Sequence, residues 1–138
     1  KGIGTSPGIA IGKVFVYREA EISIGKENIE NTETEVERLN LAIEKAVNQV
    51  EESYERVLNN IGEKEAEIFT AHKYMLEDPE FIGSVVEKIQ SEKVNAEWAI
   101  KTVSDGYIQI FENIEDEYLK ERALDLKDIT NRVLKILL

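Results

Sequence analysis

From Val36 to Ile61, apolar side chains return at three- and four-residue steps: Val36, Leu39, Ile43, Ala46, Val50, Tyr54, Val57 and Ile61. That spacing is the period of an α-helix with one buried stripe. Thr32-Glu33-Thr34-Glu35 fits a capping box, with Thr32 at the N-cap and Glu35 three residues on. Asn59-Asn60-Ile61-Gly62 supplies an end. A helix of about 30 residues is roughly 45 Å long. With a single seam it cannot bury its stripe alone. It needs neighbours along its length, which constrains the chain to a helical bundle.

The rest of the chain supplies those neighbours. A second helix is expected from Glu63 to Glu77, buried through Ile68, Phe69, Met75 and Leu76. Asp78-Pro79-Glu80 breaks and restarts it, with Asp78 at the N-cap and Pro79 at the first helical position, where a missing N–H costs nothing. Phe81, Ile82, Val85, Val86 and Ile89 continue the stripe. Asn95 should cap the next helix, whose inner face is Trp98, Ala99, Val103, Tyr107, Ile110 and Phe111. Asn113 to Glu117 turns into a last helix carrying Tyr118, Leu119, Ala123, Leu126, Ile129, Val133, Leu134 and Leu137. The expected fold is mainly α: an antiparallel hairpin bundle of four helices, the second broken at Asp78-Pro79. Residues 32–138 form this domain.

Ahead of it the pattern differs. Ser6-Pro7-Gly8 is turn chemistry, and Ile9 to Tyr17 is rich in β-branched and aromatic residues. Residues 1–17 are therefore expected as two short strands, and 18–31 as a polar linker. Two strands alone do not make a stable sheet, and their unpaired edges favour dimers.

Charge narrows the function classes. The formal net charge is −11. Residues 1–28 carry about +1, so the helical body carries about −12. Such a body repels nucleic acid and attracts a basic protein. It also keeps a helical domain soluble. No apolar run approaches membrane-spanning length, and without cysteine there is neither a disulfide framework nor a thiolate metal site. That composition fits a cytoplasmic protein.

His72 is the only histidine. It allows three readings: a phosphoryl acceptor, a contact for a partner, or a partly buried residue at a helix edge. Its spacing from Ile68, Phe69, Met75 and Leu76 puts it on or beside the buried stripe, and no Gly-rich loop or Arg cluster accompanies it. Glu63, Glu65 and Glu67 precede it; Glu77, Asp78 and Glu80 follow. These acids sit in the first turns of two helices, where the macrodipole favours them. No Glu-x-x-His pair supports a di-metal centre, so no metal ligands are expected. Met75 and Phe81 flank the helix break, where apolar groups ringed by acids would make a small interaction surface. The residues alone define an acidic helical docking module.

Four blocks carry a family resemblance: Ser6 to Lys13, Glu35-Val36-Glu37-Arg38-Leu39, Ala66 to Phe81, and Asp116 to Ile129. They are similar in order and spacing to the N-terminal part of Enzyme I of the bacterial phosphotransferase system. The resemblance implies a phosphohistidine α/β domain into which a helical domain is inserted. Residues 1–17 would belong to the former. It implies that the helical domain binds the phosphocarrier HPr, and that a separate barrel binds phosphoenolpyruvate and magnesium and forms the parent homodimer. The positions matching the HPr-binding surface are Glu63, Glu65, His72, Met75, Asp78, Glu80, Phe81, Phe111 and Arg122. The family's phosphorylated histidine lies in a Gly-Gly-x-Thr-Ser-His-type segment, and nothing like it occurs by Leu138. The resemblance therefore implies a fragment that is inactive alone, with no catalytic residue and no cofactor of its own. The alternative is a scaffold module for another basic protein, such as an HPr-like partner of a nitrogen-related paralogue.

Overall fold

The structure is a computed structural model that describes residues 24–138. The expected strands of residues 1–17, and the first part of the linker, lie outside the described residues. Five helices follow one another: α1 (Thr32–Asn60), α2 (Glu63–Leu76), α3 (Pro79–Glu92), α4 (Ala96–Asn113) and α5 (Glu117–Leu137). The expected count of four with one broken member becomes five. Asp78 accepts from the Glu80 N–H at 2.9 Å, and Pro79 opens a helix of its own.

Helix α1 is the hub. It packs against every other helix, most extensively α2, while α4 packs mainly against α5. Two hairpins, α1–α2 and α4–α5, are thus bridged by α3. Leu39, Ala42, Ala46 and Val50 form the buried line of α1. They meet Leu76, Val85, Ile89, Ile100, Ile129 and Leu134, all fully enclosed or nearly so. One polar pair lies inside this core: the Ser104 and Thr130 hydroxyls bond at 2.7 Å across α4 and α5. No helix among the described residues is long and apolar enough to cross a membrane.

Several local expectations are corrected. Asn31, not Thr32, caps α1, its side chain accepting from the Thr34 N–H at 3.0 Å. Glu35 is thereby released from the capping box. Its carboxylate instead accepts from the Ala96 N–H at 2.7 Å, capping α4 from a neighbouring helix. Asn95 holds the N-cap position of α4 but makes no cap bond. Its amide clasps the incoming chain, accepting from the Glu27 N–H and donating to the Gly25 carbonyl. Residues 24–31 are therefore a strap rather than a loose linker, with Asn28 and Val94 bridged antiparallel. Ile68, Ile110 and Tyr118 face solvent instead of the core, whereas the smaller Ala66, Ser104 and Ala123 are buried. Small side chains let the helices approach closely, which periodicity alone does not report.

Candidate docking surface

Where α2 hands over to α3, the turn lies against the last turns of α4 and the first turns of α5. There a shallow pocket of about 120 Å³ is lined by Met75, Asp78, Glu80, Phe81, Tyr107, Phe111, Arg122 and Leu126. Four helices contribute to it. Phe81 and Tyr107 meet edge to face with ring centroids 6.0 Å apart, and Tyr107 leads on to Phe111 at 6.3 Å. This aromatic ladder forms one wall. Asp78 and Glu80 are exposed at the rim. On α5 the Arg122 guanidinium lies 5.6 Å from the centre of the exposed Tyr118 ring and donates to its hydroxyl at 3.2 Å. Stacking holds the fork in place without neutralising its charge.

Six expected residues, Met75, Asp78, Glu80, Phe81, Phe111 and Arg122, thus line one pocket. Two of them sit deeper than expected. Met75 is 8% exposed and Phe81 6%, so they form the floor, not a projecting knob. The break does not expose them because α3 turns back over α4. Glu63 and Glu65 are exposed in the first turn of α2. Twelve residues separate Glu63 from Met75, about 18 Å along the helix axis. Glu63 and Glu65 do not line the pocket.

His72 is the largest departure from the helix-edge expectation. It is buried, 5% exposed, between α2 and α5. Its Nε2 faces Asp125 Oδ1 at 3.4 Å, Phe69 packs edge-on at 6.0 Å, and Nδ1 has no hydrogen-bond partner. Tyr107 and Leu126 in the pocket, and Asp125 beside His72, are site neighbours that sequence reading did not single out as functional. Helical spacing marks their faces, but only the packing of α2 and α4 on α5 brings those faces together.

The bundle's electrostatic clamp lies elsewhere. Arg38 donates to Glu97 through both Nη atoms at 2.9 and 2.7 Å, and also to Glu35 and the Leu137 carbonyl. Burial pushes the Glu97 carboxyl up, but the Arg38 hydrogen bonds outweigh it and hold the group below its ordinary value. Arg38 is correspondingly raised, first by its hydrogen bond to Glu97. Among the described residues, the one cluster of three potential ligands does not suit magnesium, which the resemblance assigns to the parent. The His/Asp/Glu cluster formed by His72, Asp125 and Asp128 includes an imidazole, whereas Mg²⁺ prefers oxygen ligands alone.

This helical arrangement and its sequence match one family, described as the N-terminal part of PEP-utilising enzymes, over residues 1–122. The chain belongs to that family. Within it, the chain is 43% identical to phosphoenolpyruvate-protein phosphotransferase of Bacillus subtilis over 96% of this chain and 23% of that protein. It is also 43% identical to the same enzyme of Priestia megaterium, over 100% of this chain and 24% of that protein. The chain therefore spans about a quarter of the length of these relatives. A solution NMR structure of Enzyme I superimposes with a TM-score of 0.80 at 40% identity, over 96% of this chain and 54% of that one. The N-terminal domain of a nitrogen-type Enzyme I gives 0.77 at 30% identity, over 83% and 48%.

Proposed function

We propose that this chain is the docking module for the phosphocarrier HPr within a phosphoenolpyruvate-protein phosphotransferase. The observation that carries the reading is the α2–α3 pocket. It has an apolar floor of Met75, Phe81 and Phe111, an acidic rim of Asp78 and Glu80, and a guanidinium held by stacking at Arg122. An apolar centre with a charged rim suits a partner that must be captured quickly and released. A body of net charge −11 steers a basic protein towards it. Identity to the general enzyme exceeds that to the nitrogen-type domain, 40% against 30%, which supports the sugar branch over an HPr-like partner of the nitrogen branch.

In this reading the parent transfers a phosphoryl group from phosphoenolpyruvate to its own histidine and then to HPr, in the cytoplasm. Magnesium and the dimer contact belong to its C-terminal part. Docking places the two histidines nearly in line, and that positioning is this module's share of the catalysis. In this reading the chain itself accepts no phosphoryl group, since its one histidine lacks the Gly-rich loop or Arg cluster that would hold one. Incubation with phosphoenolpyruvate, magnesium and the barrel domain should leave its mass unchanged. An amide NMR titration with unphosphorylated HPr tests the docking claim. Saturable shifts at Met75, Asp78, Phe81 and Arg122 that weaken with salt are expected. A folded spectrum without shifts would turn the reading towards a scaffold for another basic protein.

A further inference from the structure

Behind the pocket, α2 and α5 bring together three side chains that do not line it. His72 comes from α2; Asp125 and Asp128 lie one turn apart on α5. One ligand atom from each falls within 4.8 Å of the others. The His72 Nε2 to Asp125 Oδ1 distance of 3.4 Å is long for a hydrogen bond. It is, however, the separation of neighbouring ligand atoms around a tetrahedral zinc ion, about 3.4 Å for bonds of about 2.1 Å. The imidazole is also incompletely satisfied. Its side chain is 6% exposed, Nε2 has only the long contact, and Nδ1 has no partner. A metal bond at Nε2 replaces the long contact there and leaves the Nδ1 proton without an acceptor, a cost the bond must exceed.

We propose that His72, Asp125 and Asp128 form a binding site for a divalent transition-metal ion of the zinc type. Nε2 and one oxygen of each aspartate are the protein ligands. One imidazole with two carboxylates suits Zn²⁺ or Co²⁺ and disfavours Mg²⁺. Phe69 packs edge-on against the imidazole and, with His72 and Asp128, lines a groove of about 610 Å³, which leaves the remaining coordination position to water. Asp128 already has an interaction of its own, which the ion would share or displace. The site does not depend on HPr being the docking partner.

The composition makes the test unusually clean. With one histidine and no cysteine in 138 residues, any imidazole-ligated metal must be on His72. Zn²⁺ is titrated into the 138-residue chain, followed by calorimetry and by the imidazole ¹⁵N signals. One equivalent is expected to bind with a large shift at Nε2, and millimolar Mg²⁺ should not displace it. Asp125→Asn and Asp128→Asn should each weaken binding at least tenfold. Co²⁺ with the unaltered chain gives an independent readout, a visible spectrum of tetrahedral strength, should a variant fold poorly. Zinc uptake without an imidazole shift, or equal affinity in folded aspartate variants, would mean ordinary association with an acidic surface and would overturn the site. So would no uptake at millimolar zinc.

Discussion

At the end of the bundle where α1 and α4 begin and α5 finishes, polar groups are bonded to one another. At the opposite end, where α2 hands over to α3, they face solvent. Arg38, Glu35, Glu97, Asn95 and the Leu137 carbonyl share one network that closes two helix termini and the strap of residues 24–31. Asp78, Glu80 and Arg122 form no such network around their pocket; the carboxylates stay exposed and the guanidinium meets only a tyrosine. A charge bonded internally contributes stability and is lost to recognition. A charge left at a rim contributes little stability and remains available to a partner. The bundle separates the two tasks by about the length of a helix.

The largest expected effect is at the closed end. Arg38→Ala leaves the Glu35 and Glu97 carboxylates, both 12% exposed, without their cation. Fully buried pairs lose about 3–5 kcal/mol in this way, and the 39% exposure of the Arg38 side chain reduces the expected loss to about 2 kcal/mol. Partner affinity should not change in the folded variant. Glu97 also gives the loss a pH signature. Its folded pKa lies below the ordinary value of 4.5, so its contribution is fully present above that pH and fades as pH falls through the folded value. Denaturant midpoints of the two proteins should differ at pH 7 and converge as pH falls through the folded value of Glu97, which lies below 4.5. A constant gap at every pH would assign the loss to packing of the Arg38 stem.

At the open end the order reverses. Arg122→Ala removes a side chain whose contacts are an exposed tyrosine ring and solvent. Stability should move by no more than about 0.5 kcal/mol. HPr affinity, measured calorimetrically, should fall roughly tenfold, or about 1.4 kcal/mol. Equal losses in stability and affinity would erase the distinction between the two ends.

Sequence reading and structure part company along the same line. The five helical segments and the Asp78-Pro79 restart were legible, because period, proline and cap chemistry are local. Of the residues lining the pocket, Met75 and Phe81 stood out as flanking the break, whereas Phe111 and Arg122 entered only through the family resemblance. Glu35 was misassigned, because nothing local says that its oxygen reaches Ala96, sixty-one positions away. His72 was expected at an edge because α5 could not be seen covering it. Asp125 went unnoticed for the same reason. The pairing of α2 with α5 is a property of the assembled bundle, and no spacing within either helix encodes it.

The smallest expected effect concerns Glu63 and Glu65. They lie in the first turn of α2, about 15–18 Å along the axis from Met75, well beyond a Debye length of about 8 Å at physiological salt. At that range they can steer a basic partner but not hold it. Replacing both with glutamine should slow association with HPr about twofold at low ionic strength and leave it unchanged near physiological salt. Dissociation should be the same in both proteins, because no contact is lost. Stopped-flow measurements across a salt series separate the two rates. If dissociation accelerates instead, the partner touches the first turn of α2. The docking surface would then run the length of that helix, and the pocket at its far end would be one margin of the interface instead of its centre.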